Sequence, residues 1–115
     1  MRIMGALLIA FIAIMGIAAA AATINQVTIT SPQDNDQFTI GDLIKIRSHV
    51  EATNDGQMFV RMLIDGVRSY ASNWKPTDAD VGAHIITVEA ANNREFTNPT
   101  TATVKITVNP SPNST

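Results

Sequence analysis

The chain contains no cysteine among its 115 residues. That excludes an inter-sheet disulfide and a lipid-linked cysteine anchor. Nowhere do four basic residues run together, so a phosphate-neutralising face, and with it a nucleic-acid partner, is not expected. The six glycines are scattered, which leaves no glycine-rich phosphate loop. There is also no G-x-S-x-G nucleophile elbow and no D-x-D-x-D-G calcium loop. These absences argue against an enzyme and against a bound cofactor.

What is present divides into two parts. Residues 1–22 hold 19 hydrophobic residues and one charge, Arg2. The remaining 93 are 35% hydrophobic, with seven Lys and Arg against ten Asp and Glu, a net charge of −3. Ile3 to Ala22 carries no charged or strongly polar side chain; as a helix it would be about 30 Å long, enough to cross a bilayer core with Arg2 on the cytoplasmic side. Two readings stand side by side. In one, a short positive start, an apolar core to Ile17 and the alanine run Ala18–Ala22 make a cleaved secretory signal. In the other, the helix is retained. Small residues Ala6, Ala10, Ala13, Gly16 and Ala20 then form one face for close packing against identical helices, while Leu7, Phe11 and Ile14 lie opposite.

After Ala22 apolar and polar residues alternate with period two, between clusters of Gly, Pro, Asn and Asp. That pattern predicts short strands. Val27 and Ile29 point inward until Ser31-Pro32 ends the first strand. Phe38 and Ile40 lead to Gly41-Asp42, and then Ile44, Ile46, Ser48 and Val50 share a face. Val60, Met62 and Ile64 are expected in the core. Asp65-Gly66 predicts a type I′ hairpin, because both residues tolerate positive φ, joining Met58–Ile64 to Val67–Ala71. Asn73–Gly82 reads as an irregular connection around Trp74. Ile86, Val88 and Ala90, then Ala102, Val104, Ile106 and Val108, give the last inward faces, and Asn109-Pro110 stops the final strand. The expected fold is all-β: an Ig-like sandwich of about seven strands over residues 23–108, preceded by one N-terminal hydrophobic α-helix (1–22) and followed by an extended tail (109–115).

Two resemblances attach to these residues. "VTITSPQD" (Val27–Asp34), "FTIGD" (Phe38–Asp42), "LIDG" (Leu63–Gly66), Trp74 and "VGAHIITVEA" (Val81–Ala90) follow one another as the corresponding motifs do in prokaryotic Ig-like modules of cell-surface proteins, which the chain resembles from Val27 to Val108. The resemblance implies a sandwich that adheres, spaces other domains, or builds surface layers and filaments. "GALLIAFIAIMGIAAAAA" (Gly5–Ala22) resembles the helices of archaeal pilins and archaellins in its Leu/Ile/Phe and Ala mixture. The glutamate five residues into bacterial type IV pilins is replaced here by Gly5, and no Lys/Arg-Gly processing site precedes the apolar run.

Candidate chemistry is thin. Asp34/Asp36 and Asp78/Asp80 are carboxylate pairs that could hold Ca²⁺, but Asp in such loops commonly bonds its own backbone, and turn chemistry is the expectation. His49 and His84 have no neighbouring His or Cys; His84 is expected to be structural and His49 solvated. Phe59 and Leu63 share Arg61's face, opposite Val60, Met62 and Ile64. They form either an apolar contact for a subunit or partner, or a face buried under a neighbouring loop. Asn113 lies in the one open N-x-S/T sequon, a glycosylation candidate, since the prolines at 99 and 110 close the other two. The expected protein is extracellular or on the cell surface, and non-enzymatic. Its leading role is a subunit of a homo-oligomeric filament, membrane-held before assembly. The alternative is a secreted or membrane-anchored module that binds a surface glycan or protein.

Overall fold

The computed structural model describes residues 21–54 and 56–112. The expected helix and its packing face (Ala6, Ala10, Ala13, Gly16, Ala20) lie outside the described residues, as does Asn113. Among the described residues no helix is long and apolar enough to cross a membrane.

The described residues form nine strands: β1 (Thr23–Ser31), β2 (Gln37–Thr39), β3 (Ile44–Lys45), β4 (Arg47–Thr53), β5 (Phe59–Ile64), β6 (Val67–Ser69), β7 (Asn73–Trp74), β8 (Gly82–Ala91) and β9 (Thr100–Asn109). A 3₁₀ turn at Asp78–Asp80 precedes β8. One layer is a five-stranded sheet in the order β2-β9-β8-β5-β6; the other is built from the pairs β1-β4 and β3-β7. The count exceeds seven because it includes short pieces: β2, β3, β6 and β7 are each two or three residues long. β2 pairs in parallel with the end of β9. β7 forms inside the Asn73–Gly82 connection by pairing Trp74 with Ile44.

The two layers close on a core of β-branched residues. Ile86 and Ile106 are fully buried beside Ile44, Ile46 and Val104, with Ile29, Phe38, Met62, Ile64 and Trp74 around them. A second cluster joins Val27, Val88 and Ala90. Branched side chains fit a pleated, half-buried surface, and their alternation sets the register, because a one-residue slip would turn each set outward. The Asp65-Gly66 turn has φ of 54° and 81°, the two left-handed residues of a type I′ hairpin, and it joins β5 to β6 in register Ile64↔Val67.

Two inward expectations need correction. Val60 is 45% exposed and Ser48 is exposed, although both sit on core-facing positions. Among the described residues the opposing layer has no strand over Val60: β7 ends after two residues, which leaves the sandwich open there between β4 and β5.

The chain enters and leaves at opposite poles. Ala22 is buried where β1 begins, and its carbonyl accepts from Asn92 Nδ2 at 3.1 Å. β9 runs away from that pole to Asn109.

Candidate functional site

In the two carboxylate loops, Asp36 and Asp80 bond backbone within their own turns, while Asp34 reaches the backbone of β9. Asp34 Oδ1 accepts from Lys105 N at 2.8 Å, Asp36 Oδ2 from Gln33 N at 2.9 Å, and Asp80 Oδ2 from Thr77 N at 2.8 Å. Asp42 does the same for Thr39 N. Such bonds hold turns. Among the described residues no three His, Asp or Glu side chains converge as a metal site would require.

His84 joins three elements. Its Nδ1 lies 2.5 Å from Asp65 Oδ2, its Nε2 lies against the Asp80 carbonyl, and Trp74 meets its ring edge-on at 5.0 Å. Both polar partners are acceptors, so satisfying both requires a proton on each ring nitrogen, the imidazolium form. Burial disfavours that charge, but the Asp65 carboxylate and the Asp80 carbonyl outweigh burial and raise the His84 pKa above 6.5. For Asp65, burial alone would raise the pKa; the bonds from His84 and from Ile85 N prevail and lower it. The ring thereby ties the β5–β6 hairpin to the 3₁₀ turn, with both nitrogens engaged. This is a structural cross-brace. His49, on β4, is exposed.

The outward face of the five-stranded sheet carries Phe59, Arg61 and Leu63 in a row on β5, opposite Ala91, Glu89 and Thr87 of β8. Arg61 Nε meets Glu89 Oε1 at 2.6 Å, and its guanidinium lies 4.2 Å over the Phe96 ring. Arg94 lies 5.5 Å over Phe59. Arg94 thus covers part of Phe59, and Leu63 is likewise half-buried. Arg94 and Phe96 come from the β8–β9 loop, which period-two reading passes over because nothing in its spacing places it above β5. Ile85, 50% exposed, extends the apolar area along β8. An aliphatic patch with arginine stacked on aromatics suits a contact surface.

A second surface was not visible from the pattern. On the open side of the sandwich a groove of about 290 Å³ runs beside Ile46 and Ser48 of β4, with Val60 and Met62 as its floor and Ser69–Ser72 as its far wall. Tyr70 stands 87% exposed at its rim, with the Arg68 guanidinium 4.9 Å above its ring. A more polar crevice of about 350 Å³ lies at the entry pole, lined by Asn92, Asn93, Thr97 and Asn98. There the Asn92 and Asn93 side chains are spent on Ala22, Thr97 N and each other.

No protein-family model and no curated protein matches the chain. Among solved structures it is similar to fibronectin(III)-like modules of Clostridium thermocellum CbhA, with TM-score 0.57 and 26% identity over 75% of this chain and 99% of that one. The likeness supports an Ig-like β-sandwich.

Proposed function

We propose that the chain is a non-catalytic extracellular module that works by contact, secreted or held at the cell surface, and that it binds a surface glycan or protein. The likeness to fibronectin(III)-like modules carries this reading, because such modules are typically structural or binding domains. Two further features support it. Asp36 and Asp80 are committed to turns and Asp65 with His84 to a cross-brace, and the surface offers Phe59, Leu63 and Ile85 beside stacked arginines. Fold-level likeness gives a class of role and leaves the ligand to the surface residues.

The second reading, a filament subunit with a hydrophobic helical core and sandwiches outside, rests on the uncharged apolar run Ile3–Ala22. Intact mass and N-terminal sequencing of protein from the native envelope, with negative-stain imaging of the same fraction, separate the two. A soluble monomer starting between about Ala19 and Thr23 supports the binding module. A chain retaining Ile3–Ala22 in particles with helical repeat supports the filament.

A further inference from the structure

Ala22 belongs to two parts of the chain at once. It closes the apolar run Ile3–Ala22, and it is also a core residue, 1% exposed where β1 begins. Segments distant in sequence converge on it. Asn92, just past β8, donates from Nδ2 to the Ala22 carbonyl at 3.1 Å. Thr23, the next residue, pairs with Thr53 at the end of β4. Beyond β4 the chain turns at Asn54, with φ 63°, whose Oδ1 accepts from Gly56 N at 3.3 Å. That turn lays Gly56 on the Ala21–Ala22 peptide, backbone against backbone: a Cβ added at Gly56 would overlap Ala21 C and Ala22 N. The φ of Gly56 is not positive, so glycine serves here for close approach and not for conformation.

The alanine run offers a leader peptidase more than one bond. A-x-A precedes the cut, and Ala18–Ala22 satisfies that pattern before Ala21, before Ala22 and before Thr23. The folded pole tells these bonds apart. Hydrolysis before Thr23 removes Ala22, with its buried side chain and the carbonyl that Asn92 holds. Hydrolysis before Ala22 puts the new α-ammonium on a buried residue facing the Gly56 backbone, where a charge gives up hydration. Hydrolysis before Ala21 puts it on an exposed residue and keeps every contact.

We propose that Ala21 and Ala22 are a permanent part of the sandwich, and that removal of the apolar leader cuts no later than the bond before Ala21. Water adds across that bond, leaving a carboxylate on Ala20 and the α-ammonium on Ala21. The inference rests on packing at the entry pole and not on what the surface binds.

The test reads the sign of a melting shift and the native N-terminus. At an unobstructed loop position with ordinary φ, Gly→Ala raises the melting temperature by restricting the unfolded chain. With Ala21–Ala22 seated, Gly56→Ala in the full chain should instead lower it by about 5 °C. Asn92→Asp, nearly isosteric, turns the donor facing the Ala22 carbonyl into an acceptor and should lower it as well; it supplies the answer if Gly56→Ala fails to fold. N-terminal sequencing of protein from the native envelope should place the first residue at Ala21 or upstream. A first residue at Ala22, Thr23 or beyond overturns the proposal. So does a melting temperature that Gly56→Ala raises, or that neither variant lowers. A soluble monomer beginning at Thr23 would sink the seated pair and leave the contact-module reading standing. Particles with helical repeat that retain Ile3–Ala22 and are destabilised by Gly56→Ala would do the reverse.

Discussion

At the scale of single residues, the His84–Asp65 pair makes stability depend on pH in a direction that can be worked out. The His84 pKa is raised on folding, so its contribution is complete below the ordinary value of 6.5 and is lost as pH rises through the folded value. Asp65 is lowered, so its contribution is complete above 3.8 and is lost as pH falls through the folded value. The pair acts fully between about pH 4 and 6.5. Replacing His84 with Gln should therefore lower the melting temperature more at pH 5.5 than at pH 8.5, as followed by circular dichroism; parallel losses at both would refute the charged brace. Gly66, at φ 81° with open space where a Cβ would stand, isolates backbone strain from packing. Gly66→Ala should cost about 1–2 kcal/mol by urea unfolding. The hairpin was legible because Asp-Gly is a local signal. That Asp65 also grips His84, 19 residues on, was not, since periodicity carries no record of which loops meet.

At the scale of elements, β5 separates what alternation can and cannot say. It correctly places Val60, Met62 and Ile64 on one side and Phe59, Arg61 and Leu63 on the other. Alternation names a face, while exposure depends on what the other layer lays over it. The outward row is half-covered by Arg94 and Phe96, and the inward Val60 is uncovered because β7 is two residues long. The contrast is measurable. Ile86→Ala, at a fully buried site on β8, should cost about 2–5 kcal/mol. Val60→Ala, at nearly half exposure, should cost less than about 1 kcal/mol. Equal losses in denaturant titrations would mean that something covers Val60 in solution. Leu63→Glu should leave stability within about 0.5 kcal/mol, which makes it a clean probe of contact.

At the scale of the whole molecule, a sandwich without disulfides rests on two adjoining aliphatic clusters, and its turns are held by Asp side chains bonding backbone amides. The fold class was legible because strands, stops and the hairpin all leave local marks. The two surface features were not, because each is assembled from elements distant in sequence: β5 with the β8–β9 loop on one side, β4 with Ser69–Ser72 on the other. The most direct test of a module that works by contact is a saturation titration of the labelled full chain onto intact native envelopes, run beside Leu63→Glu. Saturable binding, weakened by this well-folded variant, is the predicted result. Binding that does not saturate, or that the variant leaves unchanged, would contradict it.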